Sequence, residues 1–159
     1  MRYLEAIAIC TLIILVPITA SVAGQAEFVD QVRKFDEFGD IKCEDEMARL
    51  DNVAIQLQNE PTAKGVLVFF GGKTFRGKLP LRGEAAARAA RLKPYLVNRR
   101  GIPSNRVMVF DGGYADEWRV EIWVVPMSFW FPAPKPEIPA DGVKFRTGKV
   151  SARSFRCEI

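Results

Sequence analysis

The chain of 159 residues contains no histidine. Histidine is the side chain that most often acts as a general base near neutral pH, and it is the commonest protein ligand of metal ions. Its absence excludes the Ser–His and Cys–His pairs that activate nucleophiles in many hydrolases. We therefore predict that the protein is not an enzyme and that it holds no metal ion and no cofactor.

A second absence concerns the stretch "GGKT" at residues 71–74, which follows an apolar predicted strand and resembles part of a phosphate-binding loop. Such a loop has a further glycine five residues before the Gly-Lys-Thr glycine, and the helix opens at the Lys-Thr. Leu67 occupies the glycine position, and the glycines and proline of "FRGKLPLRG" (75–83) interrupt a helix. The stretch is not a nucleotide site.

The chain also lacks an apolar run near its start that is long enough to cross a bilayer, which takes about 20 residues. The apolar stretch covers 6–16 and is interrupted only by Thr11, with Arg2 before it and Pro17 and small residues after it. This pattern is typical of a secretory signal that is cleaved before Gly24. We predict that 1–23 is a signal peptide and that the protein is exported to the periplasm or cell envelope. An uncleaved N-terminal membrane anchor is the alternative.

Cysteine is scarce, with three in the whole chain. Cys10 falls in the predicted signal, which leaves Cys43 and Cys157 for one disulfide in an exported protein. That bond would close a loop of roughly a hundred residues and tie the C-terminus to the start of the first helix. Two unrelated thiols are the alternative, and two cysteines without histidine do not make a zinc site.

Charge is plentiful but unevenly placed around a net charge of +4. Residues 24–64 hold ten acidic side chains against five basic ones, whereas 73–93 hold seven basic side chains against Glu84 alone. The basic zone indicates an anionic partner, or else a solvated surface. Nucleic acid is disfavoured, because the protein is predicted to be exported and no aromatic set for stacking bases interleaves these cations.

Hydrophobic periodicity predicts the order strand, helix, strand, helix, strand, strand. The predicted elements are an extended segment over 32–40, a helix over 43–60, a strand over 65–70, a helix over 84–100, a strand over 105–110, a turn over 111–117 and a strand over 118–125. This βαβαββ order is typical of an α/β (α+β) two-layer sandwich, in which two helices pack on one face of a mixed sheet.

Single residues refine this prediction. Asp40 is placed to cap the first helix. Pro94 lies inside the second helical pattern, so we expect a kink there or a break near Lys93, and Gly101 is placed to end the helix. Alternation in the last strand directs three side chains to one face: Val120, Ile122 and Val124.

The segment 126–159 has a different composition, being rich in proline and basic. Its "FWF" at 129–131 either docks on the domain or forms a site for a protein partner in the envelope. The end of the segment is expected to add an edge strand.

Five stretches together resemble an OmpA-like domain, the periplasmic peptidoglycan-binding module of bacterial envelope proteins. They are "KFDEFGDI", the acidic amphipathic helix, "GVLVFFGG", "RAARLKPYLVNRRGIPSNRVMVFDGGY" and "RVEIWV". The resemblance covers roughly 33–125, so we assign 24–125 to this domain and 126–159 to a C-terminal extension.

In the family, a loop aspartate and a helix arginine bind the charged groups of diaminopimelate. By position the resemblance places the arginine on Arg88 and the second loop glycine on Gly77, but the aspartate position is Thr74. The anionic half of the clamp is therefore expected to be missing, and Lys73 and Arg76 add positive charge. The candidate ligand-binding residues are Arg88, Thr74, Lys73, Arg76, Gly77 and Arg82. For Arg88 the alternative is an exposed helix arginine, or one paired with an acidic side chain of the first helix.

Two functions follow from this pattern. The first is a non-catalytic envelope module that binds peptidoglycan or another anionic polymer through its basic loop and helix face. The second is a structural or protein-interaction scaffold that has lost ligand binding and works through 126–159.

Overall fold

A computed structural model of the chain describes residues 32–151, Phe155 and Cys157. The predicted signal peptide, 1–23, lies outside these residues. Among the residues described, no helix has the length and apolar character that a membrane span requires.

The order of elements agrees with the prediction. The elements are β1 (Arg33–Phe38), α1 (Cys43–Asn59), β2 (Ala63–Gly72), α2 (Glu84–Ala89), α3 (Leu92–Pro94), a π-helical turn (Tyr95–Arg99), β3 (Val107–Ala115) and β4 (Arg119–Pro126). The helical segments after β2 together replace the single second helix of the prediction.

The four strands form one mixed sheet in the order β1-β4-β2-β3. β2 pairs parallel with β3 and antiparallel with β4, and β4 pairs antiparallel with β1. The strands β1, β2 and β3 thus run in the same direction, and their C-terminal ends meet at one edge of the sheet. The predicted two-layer sandwich with a mixed sheet is confirmed.

The main core lies between the helices and one face of the sheet. The alternation predicted for β4 is confirmed, because Val120, Ile122 and Val124 are fully buried in this core. The strand β2 contributes Leu67 and Phe69 to the same face. The helical segments contribute their apolar stripes: Leu50, Val53, Ala54, Leu57, Ala89, Leu92 and Leu96.

The helix break falls earlier than predicted. The helical pattern is interrupted at Ala90 and Arg91 rather than near Lys93, and it changes to π-helix after Pro94. Proline has no N–H to donate to the carbonyl four residues before it, and its ring crowds that carbonyl. The carbonyl concerned is that of Ala90, so the interruption lies where the hydrogen bond is lost. Gly101 ends the helical region with a φ of 70°, as expected.

Two other predicted boundaries need correction. Residues 111–117 are not all turn, because β3 continues to Ala115 and pairs there with Gly72. The final segment was expected to add an edge strand. Within 143–159 the described residues form only one isolated bridge, between Arg146 and Leu81, and a second bridge earlier in the extension joins Ile138 to Tyr114.

The C-terminal extension covers the face of the sheet opposite the helices. Phe129 and Phe131 pack against the second core cluster, and the Phe131 ring stacks on Phe110 with centroids 6.0 Å apart. Lys64 Nζ donates to the carbonyl of Phe129 at 2.8 Å. Trp130 faces away and is 88% exposed. Docking on the domain is therefore confirmed for the two phenylalanines, whereas the tryptophan between them contacts solvent.

This alternation gives a matched pair of variants. Phe131→Ala is expected to lower the free energy of unfolding by about 2–3 kcal/mol. This is toward or below the low end of the usual cost of truncating a core phenylalanine, because the Phe131 ring is only partly buried. Trp130→Ala should change it by no more than about 0.5 kcal/mol. Urea denaturation of both variants measures the difference. Equal effects would show that the extension does not cover the sheet in solution.

Candidate functional site

The two glycines of "GGKT" are needed for packing at the end of β2. A Cβ on Gly72 would lie 2.6 Å from the backbone nitrogen of Trp118, and a Cβ on Gly71 would lie 2.8 Å from the Tyr114 ring. Both distances are shorter than van der Waals contact. The next helix, α2, begins only at Glu84. The close approach of backbone and rings therefore accounts for this glycine pair without a bound phosphate.

The basic loop after β2 folds back on itself as a small hairpin. Phe75 and Lys78 exchange backbone hydrogen bonds of 2.7 and 3.0 Å. Between them, Arg76 and Gly77 have φ angles of 48° and 73°, and positive values at both central positions define a type I′ turn. Gly77 thus has a conformational role. The turn projects Arg76 outward, with its side chain 72% exposed.

Arg88, the predicted helix arginine, is buried at the sheet edge where β1, β2 and β3 end. Its guanidinium carbon lies over two aromatic rings, 4.3 Å from the centroid of Phe75 and 4.2 Å from that of Trp118. Its Nη2 donates to Oδ1 of Asp40 at 2.6 Å, and the Arg88 side chain is only 5% exposed. Cation–π contact and a charge-assisted hydrogen bond thus satisfy this group inside the protein.

The expectation that no carboxylate faces Arg88 is wrong. Loop 71–83 lacks one near this group, but the loop after β1 ends at the same edge of the sheet and supplies Asp40. Its Oδ2 also lies 3.4 Å from Arg76 Nε. The expectation that Asp40 caps the first helix is wrong as well, because the N-cap of α1 is Lys42 and no side chain caps it.

Burial decides the electrostatics of Arg88. Loss of solvent lowers the pKa of its guanidinium to about 10, although the attraction of Asp40 acts in the opposite direction. The group therefore stays protonated near neutral pH. The cavity beside it holds about 60 Å³, whereas pockets for small ligands hold roughly 300–1,000 Å³. Arg88 forms an internal ion pair with Asp40 and has little room for a ligand.

The remaining predicted site residues lie on the outer surface of the loop. Lys73 Nζ is 2.7 Å from Asp116 Oδ1, and both side chains are exposed. The guanidinium of Arg82 lies 4.5 Å from the Phe145 ring centroid. Thr74 is exposed and borders the Arg88 cavity. The structure thus brings Arg76 and Arg88 to one carboxylate, and leaves Lys73 and Arg82 facing solvent elsewhere.

The predicted disulfide between Cys43 and Cys157 is present, with Cα atoms 5.6 Å apart. It fixes Cys157 beside the start of α1. Near it, the carbonyl of Phe155 accepts a hydrogen bond of 2.6 Å from Arg91 Nη1, and its ring packs edge-to-face on Phe75. The tail therefore reaches the loop that surrounds Arg88.

Several site residues were missed by the sequence analysis. Asp40, Phe75 and Trp118 enclose Arg88, and each comes from a different loop. Arg146 and Lys149 of the tail lie near the basic loop. The basic composition of 126–159 was visible in the sequence, but a long connection separates it from the loop. Nothing local in the sequence indicates that the two meet.

A comparison of the chain with protein-family models and with curated proteins gives no match. The resemblance to OmpA-like domains therefore stays a prediction based on the residues quoted above. Among the residues that the structure describes, no group of three acidic or cysteine side chains is arranged to hold a metal ion.

Proposed function

We propose that the protein is a non-catalytic module of the cell envelope that binds peptidoglycan or another anionic envelope polymer through its basic loop. The cations in contact with the polymer are Lys73, Arg76, Lys78 and Arg82. Thr74 and Gly77 shape the loop between them. Arg88 does not contact the polymer, because its guanidinium is already bound to Asp40. It supports the loop by packing on the Phe75 ring.

One observation carries this proposal. Lys78 and Arg82 are exposed, and among the described residues neither has a carboxylate within 4.0 Å. Unpaired cations on an exposed loop attract a polyanion over roughly a Debye length, about 10 Å at 0.1 M salt. Such binding uses charge rather than a pocket that fits one ligand, and it agrees with the small cavity at Arg88.

The disulfide supports an extracytoplasmic location. Stable disulfides form in oxidising compartments such as the periplasm and are rare in the cytosol. The bond is compatible with the predicted export of the protein, whereas the signal peptide on which that prediction rests lies outside the described residues.

Sedimentation with purified sacculi tests the proposal. Retention is expected at low salt and should fall steeply toward 1 M salt, where the Debye length is about 3 Å. The variant Lys78→Ala/Arg82→Ala should bind about thirtyfold more weakly, since each of the two cations contributes on the order of 1 kcal/mol near an anionic surface.

A matched control removes the same charge elsewhere. Arg99 and Arg100 are exposed, and the carbonyl of Arg100 accepts a hydrogen bond from Gln58 just before β2 begins, at the end of the sheet opposite the loop. The variant Arg99→Ala/Arg100→Ala should therefore bind within about twofold of the parent protein. Equal losses in the two double variants would show that net charge, not this loop, drives retention. Absence of retention at low salt would refute the proposal.

The scaffold function is the second candidate, and one observation favours it. Trp130 is 88% exposed on an extension whose neighbouring rings are anchored, and exposed tryptophans are frequent anchors of protein interfaces. Deleting 126–159 would uncover the second core, so the better test is photo-crosslinking in native envelopes with and without Trp130→Ala. A specific protein adduct that this substitution removes, without sacculus binding, would favour the scaffold.

A further inference from the structure

A groove separates the basic loop from the C-terminal tail and encloses about 300 Å³, far more than the cavity at Arg88. One side is formed by the loop and the start of α2, and the other side by the tail. The lining residues are Phe75, Arg76, Leu81 and Glu84 on the first side, and Arg146, Lys149, Ser151 and Phe155 among those on the second.

The charges that line the groove favour an anion. Its three cations are Arg76, Arg146 and Lys149, and its one acid is Glu84. That carboxylate has a side chain only 4% exposed, accepts the backbone N–H of Leu81 at 2.9 Å and lies 3.7 Å from Arg146 Nη2. Internal partners therefore hold the acid, and the exposed charges of the groove are positive.

The two tail cations differ in how they are held. Arg146 donates its Nε to the carbonyl of Leu79 at 2.9 Å, and its backbone N–H donates to Pro80 at 3.1 Å. It is thereby fixed against the loop. Lys149 is exposed and has no carboxylate within 4.0 Å in the described part of the chain. A ligand oxyanion can approach Lys149 without displacing an existing partner.

Apolar surface lies between these cations. Phe75, Leu81 and Phe155 contribute to the lining, with the two rings 6.0 Å apart. Ligand sites commonly combine apolar walls with a few placed charges. The groove accordingly fits a chain that carries carboxylate or phosphate groups on a less polar backbone better than it fits a free hydrated ion.

The tail side of the groove is fixed at two points. The bridge between Leu81 and Arg146 holds its beginning, and the Cys43–Cys157 disulfide holds its end, two residues beyond Phe155. Without the bond, the Phe155 ring and its hydrogen bond from Arg91 would have to retain the tail unaided. The covalent link therefore keeps this side of the groove in place.

We propose that this groove is the site that seats an oxyanion-bearing chain, and that the Cys43–Cys157 disulfide keeps the groove formed. The inference rests on the proposed function, and it adds the tail residues Arg146 and Lys149 to the binding surface. A dithiol reductant would give two electrons and two protons to the bond, leaving two thiols on the protein, while the reductant closes to its own disulfide. Binding is then expected to weaken.

Fluorescence anisotropy with the full chain tests the groove, using labelled polyglutamate as the carboxylate probe and labelled polyphosphate as the phosphate probe. Lys149→Glu should weaken binding of the preferred probe about tenfold through lost attraction and added repulsion. Arg99→Glu makes the same charge change beside Arg100, whose carbonyl is bound by Gln58 at the far end of β2, and should weaken it less than about twofold. The preferred probe identifies which oxyanion the groove selects.

Reduction of the disulfide, and separately the variant Cys43→Ser/Cys157→Ser, should also weaken binding about tenfold while circular dichroism stays unchanged. If the cysteine variant does not fold, Lys149→Glu still decides the location of the site. An affinity for the probe that Lys149→Glu does not change would refute the groove as the binding site, but it would leave the proposed function unaffected. An affinity that is the same before and after reduction would refute the proposed role of the disulfide. No binding of either probe or of sacculi at low salt refutes the proposed function and this inference together.

Discussion

Reduction of the Cys43–Cys157 disulfide is expected to lower the free energy of unfolding by about 4–5 kcal/mol in the chain-entropy description. The bond joins residues 114 positions apart, so it removes many conformations from the unfolded chain. A loss of this size is a large fraction of the 5–15 kcal/mol by which domains are typically stable.

The folded sheet itself should survive reduction. Among the described residues, neither core cluster includes a residue after Phe131, and the last strand of the sheet ends at Pro126. The effect therefore lies mostly in the unfolded state, and the reduced protein should keep its far-ultraviolet circular dichroism.

Urea denaturation with and without a dithiol reductant measures this effect. The variant Cys43→Ser/Cys157→Ser is the control, because its midpoint should match that of the reduced protein and should not respond to the reductant. Identical midpoints for the untreated and reduced parent protein, together with two alkylatable thiols in the untreated sample, would contradict the disulfide.

Local sequence patterns were sufficient to predict most of the fold. The apolar run of β2 and the alternation of Val120, Ile122 and Val124 in β4 depend on burial alone, which short-range periodicity reports directly. Pro94 correctly signalled an interrupted helix. The exact place of the interruption depends on which carbonyl loses its hydrogen-bond donor. That carbonyl belongs to Ala90, four residues before the proline.

The site could be predicted only in part, because its contacts are long-range. Arg88 was identified by its position on α2, but its partner Asp40 is 48 residues away. The pairing arises because β1 and β2 end at the same edge of the sheet. The strand order β1-β4-β2-β3 places both strand ends at that edge. The order of elements along the chain does not reveal this strand order.

The aromatic partners of Arg88 are a second case of the same difficulty. Phe75 and Trp118 looked like a loop residue and a strand residue in the sequence. The type I′ turn and the start of β4 bring both ring centroids within 4.3 Å of one guanidinium carbon. Arg88, which was predicted to contact a ligand, is thus enclosed by side chains from three separate loops of the protein itself.

This cluster leads to an asymmetric prediction. Asp40→Asn is expected to lower the free energy of unfolding by about 3 kcal/mol, because it leaves a nearly buried guanidinium without its carboxylate. Arg88→Met should cost only about 1 kcal/mol, since methionine keeps the apolar contacts with Phe75 and Trp118. The carboxylate left behind by Arg88→Met is 36% exposed and still has Arg76 beside it.

Chemical denaturation of the two single variants and the double variant measures the coupling. The double variant should be close to Arg88→Met in stability, because Asp40→Asn is costly only while the guanidinium is present. Asp116→Asn, which removes the exposed partner of Lys73, should change stability by less than about 1 kcal/mol. If Arg88→Met were the more costly single change, or if the two changes were additive, Arg88 would not be held as an internal ion pair. Its guanidinium would then again be open to a ligand at the end of β2.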